Sequence, residues 1–87
     1  MSENWDRVLK DVSPTTSQFK VLVYLAFRGP SQPNDISTET GIAPGTVRPA
    51  LRTLLDKGYV RQHEDGSYRS LVSFTDIVSH LYAAQQK

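Results

Sequence analysis

The residues that could do chemistry are few, and their types exclude more than they offer. His63 and His80 are the only histidines, and the chain has no cysteine. Without Cys there is no thiolate nucleophile, disulfide or thiolate metal set, and the expected compartment is the reducing cytoplasm. No His-Glu-x-x-His pair and no glycine-rich phosphate loop occurs, and the carboxylates are scattered. No catalytic group, metal site or cofactor is expected, so the chain does not read as an enzyme. The cations say more. Arg48, Arg52, Lys57, Arg61 and Arg69 fall in residues 44–70 against Asp56, Glu64 and Asp65, whereas residues 31–43 hold Asp35 and Glu39 with no base. The net charge of +1 conceals this asymmetry. Any phosphate-facing surface belongs to the second half of the chain.

The elements that must carry those arginines can be read from periodicity. At 87 residues, 38% hydrophobic and 22% charged, the chain fits a single globular domain over 1–87. Its longest apolar run, residues 21–27, is too short to cross a bilayer, and residues 1–12 lack the apolar core of a signal peptide. No membrane partner is expected. Trp5, Val8, Leu9 and Val12 recur at helical spacing, which predicts a short amphipathic helix over 3–12 that Pro14 stops. Thr15 or Thr16 is placed to cap a second helix reaching Arg28. Phe19, Leu22, Leu25 and Ala26 form its core face, widened by Val23, Tyr24 and Phe27, and Gly29-Pro30 ends it.

Pro33 opens a short helix over 33–40 that turns Ile36 inward, and Gly41 closes it. Pro44 opens the next, where Val47, Ala50, Leu51, Leu54 and Leu55 keep helical spacing up to Lys57-Gly58. Only Gly41, Ile42 and Ala43 join the two, the signature of a helix-turn-helix. The period then changes. Residues 59–64 and 67–74 read as strands joined by Asp65-Gly66 in a two-residue type I′ turn, which would set Glu64 opposite Ser67 and Val60 opposite Leu71. Thr75 is placed to cap a last helix over 75–87. The expected fold is mainly α with a small β-hairpin (α+β): a winged helix-turn-helix core over 13–75 with flanking terminal helices.

These residues resemble the multiple-antibiotic-resistance regulator (MarR) type of winged helix. The resemblance runs from Gln18-Phe19 through Leu22, Leu25 and Gly29-Pro30, then Gly41-Ile42-Ala43-Pro44-Gly45-Thr46-Val47. It continues through Leu51, Leu54 and Lys57-Gly58-Tyr59-Val60 to Val72, Phe74 and Thr75. It implies a transcription regulator binding double-stranded DNA sequence-specifically, with recognition helix 44–57 in the major groove and wing 59–74 on the backbone or minor groove. The positions it assigns to DNA are Pro44, Gly45, Thr46, Arg48, Pro49, Arg52 and Thr53 on the helix, with Arg61, His63 and Arg69 on the wing. The chemistry suits the task. Arginine can bond guanine O6 and N7 together, threonine can meet phosphate or a thymine methyl, and amides at a helix start can hold a phosphate.

The chain departs from that pattern in three places. Arg48-Pro49 stands where the family commonly has Ser-Arg, turning the arginine by about 100° around the helix axis. Pro49 removes a backbone donor and predicts a kink or a cost of ~3 kcal/mol. Ala43 stands where a small polar cap is usual, and the wing lacks the family's acidic-arginine motif.

The terminal stripes need cover. Trp5, Val8, Leu9 and Val12, with Ile77, Val78, Leu81 and Tyr82, resemble dimer-forming helices, so a homodimer is expected, its reading helices roughly 34 Å apart on a palindromic site. A small-molecule effector could lie between terminal helices and core, but no residue selects one. The alternative is a winged-helix protein-interaction adaptor in a transcription, replication or segregation complex, favoured by the weak net charge and the acidic segment at Asp35 and Glu39, and opposed by Arg48 and Arg52.

Overall fold

The computed structural model describes residues 16–85, with the side chains of 83–85 left aside. The expected helix of Trp5, Val8, Leu9 and Val12 lies outside those residues. Four helices and a two-stranded antiparallel hairpin follow one another as α1 (Ser17–Arg28), α2 (Pro33–Thr40), α3 (Pro44–Lys57), β1 (Val60–Gln62), β2 (Tyr68–Ser70) and α4 (Phe74–Gln85). This is a winged helix-turn-helix.

Local chemistry sets each boundary. Thr16 caps α1, its Oγ1 accepting from the Phe19 amide at 3.2 Å. Gly41 closes α2 in the left-handed region at φ 78°, a conformation that suits glycine, and its N–H donates to the Ser37 carbonyl. Two α2 hydroxyls then hold the turn: Ser37 Oγ donates to the Ile42 carbonyl at 2.6 Å, and Thr40 Oγ1 accepts from the Ile42 amide at 3.2 Å. At the far end of α3, Gly58 takes φ 83°, its N–H donates to the Leu55 carbonyl, and the Tyr59 N–H donates to that of Leu54. Together these make a Schellman closure. The cap of α4 is Ser73 rather than Thr75: Ser73 Oγ accepts from the Asp76 amide, and the Ile77 amide bonds the Ser73 carbonyl.

The core gathers Phe19, Val21, Leu22 and Leu25 of α1, Ile36 of α2, and Val47, Ala50, Leu51 and Leu54 of α3 around Tyr59, Val60, Val72 and Ile77. Each fully buried aliphatic among them contributes about 1.5–3 kcal/mol relative to exposure. Helix α3 packs on α1, α2 and β1, so its inner face is committed, while Arg48 and Arg52 on its outer face are exposed. Three expectations are corrected here. Phe27 does not widen the core but lies 69% exposed against Phe74, ring centroids 5.4 Å apart, and Leu55 is also exposed. Ile77 is buried in this chain's own core rather than held for a partner, and half-buried Leu81 packs against it. Between them on α4, His80 is buried with its ring 6.5 Å from that of Phe19. Val78 and Tyr82 face outward.

Pro49 does not interrupt α3, which runs unbroken from Pro44 to Lys57. The proline lies in the second turn, and its missing N–H deprives one acceptor, the Gly45 carbonyl, of its usual partner. A Cβ added at Gly45 would meet nothing within 4 Å.

Candidate nucleic-acid interface

The inward set Val47, Ala50, Leu51 and Leu54 leaves Arg48 and Arg52, one helical turn apart, on the outer face of α3. Pro44, Gly45, Thr46 and Pro49 are exposed beside them, and Thr53 is half-buried at the edge. All seven α3 positions expected to meet DNA therefore lie at the surface. Pro44 occupies the first helical position, and Ala43 at the N-cap makes no side-chain cap bond. Asp56, one turn beyond Arg52, is exposed and limits the basic stripe toward the end of the helix.

On the wing the register is Val60 with Ser70, Arg61 with Arg69, and Gln62 with Tyr68. Extending it sets His63 against Ser67, whose carbonyl accepts the His63 amide at 2.8 Å. The loop is thus Glu64, Asp65 and Gly66, one residue longer than the expected Asp65-Gly66 turn, and the pairs Glu64–Ser67 and Val60–Leu71 are not formed. The Gly66 amide bonds back to the His63 carbonyl, and Gly66 itself takes φ 91°. A type I turn followed by a positive-φ residue is the usual three-residue hairpin. Asp65 stabilises it, its carboxylate accepting from the Ser67 amide at 2.9 Å and the Ser67 hydroxyl at 2.7 Å. Those two bonds, with a smaller contribution from His63, hold the Asp65 carboxyl below its ordinary range. Alternation along β1 puts Arg61 and His63 on one face, with Arg69 directly across from Arg61.

Arg48, Arg52, Arg61 and Arg69 form no ion pair with any described residue. By contrast Arg28 approaches Glu39 at 3.8 Å, and Glu39 also accepts from the Tyr24 hydroxyl at 3.1 Å, joining α1 to α2. The acidic segment is thereby partly engaged within the fold, while Arg48, Arg52 and Arg61 are exposed and Arg69 is half-buried.

The packing also brings in residues with no local sequence signal. The start of α1, at Thr16, Ser17 and Gln18, faces Gly45, Thr46 and Pro49 of α3 across an open concavity of about 320 Å³. This adds hydroxyl and amide groups beside the entry of α3. Among the described residues no cluster of His, Asp or Glu could hold a metal ion, and no helix is long and apolar enough to cross a membrane.

The IclR helix-turn-helix domain model matches residues 19–64, from Phe19 in α1 to Glu64 at the wing tip. No curated protein matches the chain.

Proposed function

The chain belongs to the IclR helix-turn-helix domain family and is a DNA-binding transcription regulator, and on that premise we propose how it binds. Helix α3 enters the major groove and presents Arg48 and Arg52 to base edges, with Pro44, Gly45, Thr46, Pro49 and Thr53 along the same contact. The wing sets Arg61, His63 and Arg69 on the backbone, as the MarR-type resemblance implies. The observation that carries this reading is a set of four arginines, without an ion-pair partner among the described residues, on the outer face of α3 and one face of the wing. Cations without such a partner lose little on meeting phosphate, because no ion pair with the described residues has to be surrendered.

The proposal includes a two-fold homodimer acting in the cytoplasm. Its support is an exposed apolar face: Phe74, Val78 and Tyr82 follow one another at single-turn spacing on α4, and Phe27 extends the stripe from α1. An exposed apolar stripe of this kind on a small domain suits an interaction site.

Titration of duplex binding against salt tests the function. A regulator loses affinity steeply as salt rises, with a slope of about −0.9 per phosphate contacted. If low salt gives no duplex binding, and Arg48→Ala and Arg52→Ala change nothing, the chain is an adaptor and the DNA reading falls.

A further inference from the structure

The wing is fastened to the rest of the domain through the segment that leads into α2. Ser31 and Tyr68 exchange two backbone bonds, Ser31 N–H to the Tyr68 carbonyl at 3.0 Å and Tyr68 N–H to the Ser31 carbonyl at 2.8 Å. This pins the start of β2. One residue further, the Gln32 side chain reaches the tip, its Nε2 donating to the Asp65 carbonyl at 2.9 Å. Gln32 and Asp65 are 33 residues apart in the chain, and the bond lies at the exposed surface. Gly66 lies beside it, where an added Cβ would stand 3.4 Å from Gln32 Oε1, at contact distance.

Gln32 is also the N-cap residue of α2, yet its side chain makes no cap bond there. Ser, Thr, Asp or Asn at this position would satisfy an orphan helix amide. The residue present forgoes that and spends its amide on the wing. We propose that Gln32 is a positioning residue, holding the wing tip so that Arg61, His63 and Arg69 meet the DNA backbone while α3 lies in the groove. The inference rests on the DNA-binding reading above.

The two duties of position 32 pull stability and binding in opposite directions, and this makes the test specific. Gln32→Ser gains the α2 cap and loses the tether. Its Tm should rise by about 4 °C. Its duplex affinity should fall about five-fold, with a salt slope shallower by about one phosphate. Gln32→Met, of the same length but without a donor, should lose the same affinity with no rise in Tm. In an Arg61→Ala, Arg69→Ala background neither substitution should weaken binding further, because the loss acts through those arginines. Wild-type protein that binds duplex while both variants keep its affinity and salt slope overturns the inference alone. An equal loss in the Arg61→Ala, Arg69→Ala background also overturns it, since Gln32 would then act on its own. Wild-type protein with no duplex binding takes down the DNA-binding reading itself.

Discussion

Arg61 and Arg69 stand directly opposite each other across the wing, like charges at paired cross-strand positions. Opposed residues in an antiparallel pair have Cβ atoms about 4.5–5.5 Å apart, and like charges there are destabilising. Neither arginine has an acidic partner among the described residues to relieve it. The pair is a cost to the isolated domain and an asset once an anion lies over the hairpin. Arg61→Ala or Arg69→Ala should therefore leave Tm unchanged or slightly raised, while each lowers the salt slope of duplex binding by about one. Thermal melts and binding isotherms at several salt concentrations read both. A lowered Tm with unchanged slope would make the pair structural.

Arg48 and Arg52 should behave differently from the wing pair. If they read bases, Arg48→Ala and Arg52→Ala each cost about 1–3 kcal/mol on the preferred site and relax its sequence. Selection from random duplexes, run on wild type and both variants, measures this. A uniform loss across all sequences would reassign the residue to phosphate.

The missing cap of α3 predicts a stabilising change. Ala43 has φ −60° and ψ 145°, the extended geometry of a capping residue, but no side-chain oxygen. Ala43→Ser should add about 1 kcal/mol. For a domain of this size that raises Tm by roughly 4–8 °C. Pro49→Ala, which restores a donor to the Gly45 carbonyl, should also stabilise, by up to ~3 kcal/mol. Calorimetry checks both, and a fall in Tm for either would show that the native residue satisfies its neighbours better than the helix would.

The apolar stripe of α4 predicts an oligomeric state. Phe27 and Tyr82 are exposed by 69% and 66%, so Phe27→Ser with Tyr82→Ser should leave folding intact and convert a dimer to a monomer. Sedimentation equilibrium reads the mass. Wild type sedimenting as a monomer at micromolar concentration would remove the homodimer.

Asp65 supplies a pH test. Its carboxyl is depressed by the bonds from Ser67, so the folded turn favours the ionised form. The stabilisation is present above the unfolded carboxylate range and disappears as pH falls through the lower folded value. An NMR titration should place Asp65 below an ordinary aspartate, and Ser67→Ala, which removes the hydroxyl bond and keeps the amide bond, should move it part of the way back up. If Ser67→Ala leaves the midpoint in place, the hydroxyl bond is not among its causes.

The helices were legible because their punctuation is local. Pro44 and Gly58 bracket α3 as expected, and Gly41 closes α2 where the spacing of Ile36 and Val47 requires a turn. The outer surface of α3 followed from periodicity, since Val47, Ala50, Leu51 and Leu54 leave only one outward direction. What stayed hidden depends on distant partners or on competing local bonds. Asp65-Gly66 reads as a two-residue turn until Ser67 takes the Asp65 carboxylate and Gln32 takes its carbonyl, and a loop one residue longer then wins. His80 looks like a polar residue beside an apolar stripe, and only the placement of α4 on α1 turns it toward Phe19. The concavity at Ser17 and Gln18 exists because α1 crosses α3, which no local pattern announces.

The Schellman closure at Gly58 has a metrical consequence. Only Gly58 and Tyr59 separate α3 from β1, and both are bonded back into the end of α3. The chain thus works as a ruler: a duplex seated on α3 would meet the wing at one fixed offset along its axis. Contacts by Arg48 and contacts by Arg61 would then appear in a footprint at a constant phase, whatever sequence lies between them. Lengthening the Gly58-Tyr59 joint by one residue would break that phase while leaving both contact surfaces chemically whole.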